Sequence, residues 1–294
     1  MDSFEGRIAV VTGGGTGMGR ELVVQLAAEG CHVAACDVNP ETLEETAEIA
    51  RAGAPDGTLV TTHICDVSDA MAMDAFRDEV LAQHDTNHVN LVFNNAGIAG
   101  GGSFLMSEPK EWDLTFGVCW GGVYNGCRSF LPLLIASDSG YLVNTSSVNG
   151  FWATLGLGIP HTAYSAAKFA VKGFSEALLQ DLKLNAPHVK VAVVMPGHIG
   201  TQIVSNTMRV HGLESPDDPD AAALFEAMQA NFVENAPMSA AEAATVILDG
   251  VRAGKWRILV GDDAHKLDEM VRADPEGVYE SGFSLSTMLG GDPS

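Results

Sequence analysis

The sequence predicts an α/β fold in which a doubly wound parallel sheet carries helices on both faces. Short apolar runs alternate along the chain with longer stretches whose apolar residues recur at helical spacing, an order typical of parallel sheets. The first run, residues 8–11, is continuously apolar, as expected for a strand that is buried on both faces. The chain has 294 residues and is 46% hydrophobic, so one large domain is expected, although the length alone also allows two smaller ones.

The predicted strands and helices follow one another without an internal repeat or a low-complexity linker. Seven strands are predicted, at residues 8–11, 32–36, 59–65, 89–93, 141–144, 189–194 and 256–260. Helices are predicted at residues 20–29, 41–52, 68–81, 107–131, 163–184 and 239–253. Gly30 ends the first helix, whereas Asn39 caps the second and Ser68 the third, because these residue types satisfy the free backbone groups of helix ends.

The turn after the first strand carries the first functional signal, since residues 12–19 contain five glycines. Glycines let the backbone turn sharply and approach a pyrophosphate, whose charge is stabilised by the free N–H groups of a helix N-terminus. Asp37 ends the second strand, where a carboxylate can accept both hydroxyl groups of an adenosine ribose. Together these features predict a dinucleotide site on a Rossmann-type sheet, with a purely structural turn as the alternative. Because Asp37 would repel a 2′-phosphate and the turn holds no Arg or Lys, NAD is the expected cofactor.

A second group of residues predicts acid–base chemistry. Tyr164 and Lys168 are four residues apart, so they share one face of a predicted helix. The ammonium group favours the phenolate, which is expected to lower the pKa of Tyr164 and let it exchange a proton with an alcohol or a carbonyl oxygen. Ser147 ends the fifth strand, where its hydroxyl can hydrogen-bond the same substrate oxygen. A Tyr and a Lys at this spacing usually lie on a solvated helix face. Here the pattern indicates a catalytic site, because it follows a half of the chain that is predicted to bind a dinucleotide.

Over about residues 5–261 the chain resembles the short-chain dehydrogenase/reductase family. The resemblance rests on the glycine-rich loop, Asp66-Val67, Asn94-Asn95-Ala96-Gly97, residues 196–201 and the set Ser147, Tyr164 and Lys168. It implies a single domain with sheet order 3-2-1-4-5-6-7, catalysis by Ser147, Tyr164 and Lys168, and a homotetramer or homodimer. The cofactor contacts that it implies are Gly13, Thr16, Gly17, Met18, Gly19, Asp37, Asp66, Val67, Asn95, Ala96, Gly97, Tyr164, Lys168, Gly197, Ile199 and Thr201.

Two features depart from that family pattern. The family usually carries an asparagine on the helix after the fourth strand, where it helps a water chain reach the lysine, and Cys119 stands in its place. A thiol is a weak donor and acceptor, so this relay is not expected intact, unless a local shift brings another group or water there. The interval between Ser147 and Tyr164 is also several residues longer than usual, which adds an apolar loop at residues 151–160.

This added loop indicates a kind of substrate. It contains Phe151, Trp152 and Leu157 but no Arg or Lys that could hold a carboxylate or a phosphate. These three residues are predicted to contact the substrate, and a bulky, mostly apolar secondary alcohol or ketone is expected. The alternative is that the aromatic residues pack against a neighbouring subunit or a lid.

The chain beyond the sixth strand is predicted to complete the domain. Residues 202–237 are predicted to form a substrate lid within a domain of residues 1–261, because long loops in compact domains are usually functional or disordered. Residues 262–294 are predicted to form a C-terminal extension with a short helix near residues 265–272.

Charge and cysteine content exclude several functions. A net charge of −22 with 16 Lys and Arg argues against nucleic acid, an acidic membrane or an acidic carrier protein as partner, so a small-molecule substrate is expected. The five cysteines have no metal-site spacing, and no signal peptide or membrane-length apolar run is seen, so a cytoplasmic protein with reduced thiols and no metal is expected. An NAD-dependent oxidoreductase is therefore predicted. The alternatives are a ketoacyl-type carbonyl reductase, which would favour a phosphorylated cofactor and a basic docking patch, and a non-catalytic NAD sensor, which would not need the Ser/Tyr/Lys set.

Overall fold

The structure, a computed structural model, describes residues 1–156, 158–211 and 219–280, of which residues 219–225 and 228 are described for the backbone only. Its strands are β1 (Ile8–Thr12), β2 (His32–Asp37), β3 (Val60–Ile64), β4 (Leu91–Asn94), β5 (Gly140–Thr145), β6 (Val189–Pro196), β7 (Ile199–Gly200), β8 (Met238–Ser239) and β9 (Arg257–Val260). Seven of them form a parallel sheet in the order β3-β2-β1-β4-β5-β6-β9, and the short β7 and β8 pair with each other. This confirms the predicted order, in which β9 is the seventh strand.

The helices connect the strands in the predicted order, but the single helix predicted at residues 107–131 is divided by a π-helical turn, Gly117–Gly121. They are α1 (Gly17–Ala28), α2 (Pro40–Gly53), α3 (Ala70–Gln83), α4 (Pro109–Phe116), α5 (Gly122–Ile135), α6 (Thr162–Asn185), α7 (Ile203–Val210), α8 (Pro219–Glu234), α9 (Ala240–Arg252) and α10 (Asp262–Ala273). Asn39 caps α2 as predicted, since its side chain accepts hydrogen bonds from two N–H groups of the first turn. The predicted cap of α3, Ser68, is wrong, because the Asp69 carboxylate accepts from that turn and the Ser68 hydroxyl donates to Asp66 instead.

The core has two layers, one on each face of the sheet. Alternate residues of β1 point to opposite faces, so Ala9 and Val11 pack with α1 and α9, whereas Ile8 and Val10 pack with α3, α5 and α6. Both layers are lined by buried apolar side chains, which is why the strand sequences are continuously apolar. The predicted doubly wound architecture is therefore confirmed. Within the described residues, no helix is long and apolar enough to cross a membrane.

A third, smaller cluster joins the C-terminal segment to the loop after β5. Trp152 is fully buried there against Leu267 of α10 and Val278. Its indole N–H donates to the carbonyl oxygen of Val278 at 3.1 Å, and the Tyr279 hydroxyl accepts from the N–H of Ala153 at 2.9 Å. The predicted short helix is present as α10, and the extension up to residue 280 is part of the packed domain.

Candidate active site

The carboxyl ends of the central strands surround a cavity of about 610 Å³. It lies where the sheet order reverses between β1 and β4, the usual ligand site of an open parallel sheet. The glycine-rich loop and Asp37 line one half of it, and Ser147, Tyr164 and Lys168 line the other. The two groups of residues predicted from the sequence, the glycine-rich loop with Asp37 and the Ser/Tyr/Lys set, thus face one cavity.

The glycine-rich loop is shaped to leave the N-terminus of α1 open. Gly13 and Gly17 have φ of 66° and 54°, in the left-handed region that side chains disfavour. A side chain at Gly19 would overlap the carbonyl oxygen of Gly13, so the loop and the helix pack closely only with glycine there. Thr16 at the N-cap makes no side-chain cap hydrogen bond, which leaves N–H groups of the first turn available to an anion.

The Asp37 carboxylate is held in a fixed orientation at the end of the cavity that the glycine-rich loop forms. It accepts hydrogen bonds from the N–H groups of Gly15 and Asn39, both at 3.0 Å. A nearby cation, Arg20, was not considered in the sequence prediction. Its guanidinium donates to the carbonyl oxygen of Gly15 at 2.9 Å and pairs with Glu45 at 2.7 Å, so it is already engaged.

The predicted contacts at the middle of the cofactor half are tied to β1 and β3. The Thr12 hydroxyl accepts from the N–H groups of Asn95 and Ala96 at 3.0 and 3.1 Å, which joins the ends of β1 and β4. The side chain of Asn125 on α5 donates to the carbonyl oxygen of Val67 at 2.9 Å and so holds the segment after β3. Asn95, Ala96, Gly97, Asp66 and Val67 all line the cavity.

Ser147, Tyr164 and Lys168 come together from β5 and α6. The Ser147 hydroxyl lies within hydrogen-bond reach of the Tyr164 phenol and accepts from the N–H of Asn149 at 3.1 Å. Lys168 is buried, and its Nζ lies 5.3 Å from the centroid of the Tyr164 ring and donates to the carbonyl oxygen of Thr145 at 2.9 Å. This arrangement places a phenol, a hydroxyl and an ammonium around one end of the cavity.

Burial decides the protonation of the two ionisable groups. It raises the pKa of Tyr164 above its ordinary value, and the Ser147 hydrogen bond lowers it by less. Burial also lowers the pKa of Lys168. The predicted lowering of the Tyr164 pKa is therefore wrong for this structure, because desolvation outweighs the hydrogen bond from Ser147. A protonated phenol is suited to donating to a carbonyl oxygen.

Cys119 lies close to Lys168, the place that the sequence pattern predicts for it. It belongs to a π-helical turn, Gly117–Gly121, between α4 and α5, and its thiol donates to the carbonyl oxygen of Ile98 at 3.1 Å. A Cβ atom built on Gly97 would lie 3.4 Å from Lys168 Nζ and 3.8 Å from Cys119 Sγ, so both groups border the same small space. The thiol donates its one proton to Ile98, and its sulfur, a weak acceptor, makes no hydrogen bond with the Lys168 ammonium, which donates to Thr145.

The remaining predicted cofactor contacts lie on the loop after β6. Gly197, Ile199 and Thr201 line the cavity. An acid from the C-terminal helix holds this loop, since the Asp263 carboxylate accepts from the N–H of His198 at 2.6 Å. A side chain at Gly197 would overlap that carboxylate. Asp263 is 3% exposed, and no cation lies within ion-pair distance of it in the described part of the chain.

The first part of the predicted lid is a helix that closes one side of the cavity. On α7, Asn206 donates to the Thr16 hydroxyl at 2.7 Å, and the Thr207 hydroxyl accepts from the N–H of Ala99 at 2.8 Å. α7 also brings a cation, Arg209, to the cavity. Residues 212–218 of the predicted lid lie outside the described residues.

The loop after Ser147 does not place its aromatic residues at the substrate cavity, which was their predicted role. Trp152 and Phe151 belong to the cluster with the C-terminal segment and are not among the cavity-lining residues, so the structure brings them together with α10 and not with a substrate. Neither a subunit neighbour nor a lid, the two partners considered from sequence, is needed to explain their burial. Leu157, the third predicted contact, lies outside the described residues. From the same loop, Leu155 and His161 line the cavity.

The sequence prediction missed several cavity residues, among them His161, His198, Arg209 and Asp263. His161 stands three residues before Tyr164, a spacing that puts the two on one helix face, so it could have been found. Asp263 and Arg209 could not, because nothing in their local sequence shows which strand ends they meet. Among the described residues no group of three or more His, Cys, Asp or Glu is placed to hold a metal ion, and the five cysteines are free and buried.

Comparison with known proteins places this geometry among dehydrogenases. A family model described as short chain dehydrogenase matches residues 7–210. SadH of Mycobacterium tuberculosis, an oxidoreductase by name, is 38% identical over 272 residues, which cover 92% of each chain. Levodione reductase of Leifsonia aquatica is 32% identical over 214 residues, covering 72% of this chain and 77% of that protein.

Solved structures show the same fold with either nicotinamide cofactor. A short chain dehydrogenase/reductase from Burkholderia phymatum in complex with NAD has a TM-score of 0.80 at 28% identity, over 100% of this chain and 98% of that one. A metagenomic short-chain oxidoreductase in complex with NADP has a TM-score of 0.57 at 31% identity, over 66% and 83% of the two chains.

Proposed function

This chain belongs to the short-chain dehydrogenase/reductase family, and we propose that it is an NAD(H)-dependent oxidoreductase that interconverts a secondary alcohol and a ketone. The observation that carries the proposal is the meeting of Ser147, Tyr164 and Lys168 at one end of the cavity. A non-catalytic sensor on the same fold would have no need of that set.

The proposed chemistry assigns one task to each of the three side chains. In the reducing direction Tyr164 would give its phenolic proton to the carbonyl oxygen; in the oxidising direction the phenol would first lose that proton to solvent, and the phenolate would then take the proton of the alcohol. Ser147 would hydrogen-bond the same oxygen, and Lys168 would favour the phenolate once it forms and contact the ribose of the bound cofactor. A bound nicotinamide supplies or accepts the hydride, so two electrons and one proton are accounted for.

NAD is proposed over NADP because of the adenosine end of the cavity. The residues there fit the cofactor, since the open N-terminus of α1 suits a pyrophosphate and Asp37 is held toward the cavity by Gly15 and Asn39. A 2′-phosphate would face that carboxylate, and Arg20, the neighbouring cation, is engaged by the Gly15 carbonyl and Glu45. Like charges at this distance are unfavourable.

A bulky, mostly apolar substrate is proposed on residues other than those predicted from sequence. Leu114, Val118, Leu155, Ile203 and Val210 line the same cavity as the Ser/Tyr/Lys set. Burying such side chains against the substrate would contribute ~1.5–3 kcal/mol each before ordering costs. We propose α7 as the lid, since it carries two of these residues and is bonded to Thr16.

A homo-oligomer, as a tetramer or dimer, is proposed from the long helices α5 and α6. Tyr124, Ile135 and Phe169 expose 45%, 44% and 43% of their surface, which supports burial between subunits. The mass in solution tests this part: a monomer at micromolar concentration would contradict it.

A steady-state assay tests the proposed function. The alcohols are cyclic, aryl and aliphatic in a series of rising size, and each is offered with NAD⁺ and with NADP⁺. We expect kcat/KM to rise with size and to be at least ~10-fold higher with NAD⁺, since a like charge shifts binding by more than 1 kcal/mol. Equal rates with both cofactors would contradict the role of Asp37, and no NADH formation from any alcohol would contradict the proposed reaction.

A further inference from the structure

His161 lines the cavity beside the proposed acid–base residue, although the proposed reaction gives it no task. It is the N-cap residue of α6 and is 91% buried. Its imidazole stacks on the Tyr164 ring, with the centroids 4.6 Å apart and the planes at 15°. The two rings therefore present their edges side by side to the same part of the cavity.

The two nitrogens of the imidazole are placed differently. Nδ1 is buried and has no hydrogen-bond partner among the described residues, so a bound molecule can reach only Nε2. Burial lowers the pKa of His161 to about 4, so the ring is neutral near pH 7 and offers one donor and one acceptor. A ligand that fills the cavity displaces water from Nε2, and losing that partner is unfavourable unless a polar group of the bound molecule replaces it.

The other polar groups near this position are already engaged. Ser147 accepts from the N–H of Asn149 and lies beside the Tyr164 phenol. The amide N–H groups of Asn149 donate to the carbonyl oxygens of Trp152 and Thr154, both at 2.9 Å. Of these three neighbours of the reacting oxygen, His161 is therefore the one left to bind a second polar group of the substrate.

We infer that His161 determines specificity by hydrogen-bonding a second oxygen of the substrate, next to the oxygen that reacts. The inference rests on the proposed function and narrows its substrate class. Because the two rings are stacked with their centroids 4.6 Å apart, we expect the two oxygens to be close together, on adjacent carbons or on carbons one apart. The expected substrate is a vicinal diol or a hydroxyketone on an otherwise apolar body.

The test compares two alcohols of nearly equal size, trans-1,2-cyclohexanediol and trans-2-methylcyclohexanol, with NAD⁺. We expect wild-type kcat/KM to be at least ~10-fold higher for the diol, mainly through KM, since the contact is away from the reacting bond. In His161→Phe, which keeps a stacked ring, the ratio should fall to about 1, and it should also fall in His161→Asn, whose shorter amide does not reach the Nε2 position. NADH binding should be unchanged in both variants.

Each result decides for or against the inference. A wild-type ratio near 1, or a ratio that persists in His161→Phe, would overturn it while leaving the proposed reaction intact. If His161→Phe does not fold, the wild-type ratio and His161→Asn still decide. If the wild type oxidises neither of these alcohols and no member of the wider alcohol series, both the proposed function and this inference fail.

Discussion

The two halves of the cavity are built in different ways. The cofactor half comes from β1, α1, β2 and β4. It depends on the backbone shape of the glycine-rich loop, where Gly13 and Gly17 have left-handed φ angles, and on the Asp37 carboxylate, which two N–H groups hold in place. The substrate half joins α6, α7, α10 and the loop after β5, which are far apart in the chain. Substitutions in the first half should therefore act locally on cofactor binding, whereas those in the second should act through packing between distant segments.

The largest effect on cofactor affinity is expected in the cofactor half, from Gly19→Ala. The added methyl group would overlap the carbonyl oxygen of Gly13 and approach the Asn95 amide at 2.7 Å, so the loop must move from the N-terminus of α1. NADH affinity, measured by fluorescence titration, should fall at least ~100-fold, which corresponds to about 2.7 kcal/mol.

The matched control is Gly173→Ala on α6, where a Cβ meets no atom within 4 Å. It should bind NADH like the wild type and be equally or slightly more stable, by ~0.5–1 kcal/mol. Wild-type affinity in Gly19→Ala would contradict the account of the loop.

In the substrate half, Trp152→Ala should lower stability and activity together. The indole is fully buried in the cluster that joins the loop after β5 to the C-terminal segment, so its removal should lower the free energy of unfolding by ~3–5 kcal/mol. Because Ser147 begins that loop, kcat/KM should fall more than NADH affinity does. Urea unfolding and steady-state kinetics measure the two effects.

Trp256→Ala is the control for that experiment, since Trp256 is 44% exposed and lies outside the cluster. Its stability should change by less than ~1 kcal/mol. If both tryptophan variants behave alike, the C-terminal segment does not support the loop.

How far the sequence predicts the molecule follows the same division. The sequence predicts the sheet order. It also predicts that the glycine-rich loop faces Ser147, Tyr164 and Lys168, because each motif lies at a strand end and the carboxyl ends of the strands meet at one edge of the sheet. Trp152 could not be assigned, since an aromatic residue in an apolar loop fits a substrate or a core equally well, and its partner Val278 is 126 residues away. The direction of the Tyr164 pKa shift also required the structure, because it depends on burial.

A smaller effect is expected from pH, again in the substrate half. Burial lowers the pKa of His161 to about 4, below its ordinary value of 6.5, so the unfolded chain binds the proton more readily. Burial of the neutral His161 therefore makes a contribution to the free energy of unfolding that is complete above pH 6.5 and is lost as the pH falls toward 4. About 2 kcal/mol of it is lost by pH 5. Urea unfolding of wild type and His161→Phe at pH 7.5 and 5 measures it.

His161→Phe should lose less stability than the wild type between those two pH values, whereas His265→Phe, at an exposed position, should lose as much as the wild type. An identical acid loss in all three proteins would show that His161 is not the group responsible.

The central claim is that Tyr164 exchanges the proton of the reacting oxygen, and Tyr164→Phe tests it most directly. The phenyl ring keeps its packing against His161 while the donor is removed. We expect kcat to fall at least ~10²-fold with NADH affinity nearly unchanged, and Tyr124→Phe, at a half-exposed tyrosine on α5, to keep wild-type activity. A Tyr164→Phe enzyme that retains a third of the wild-type rate would show that the proton comes from another group.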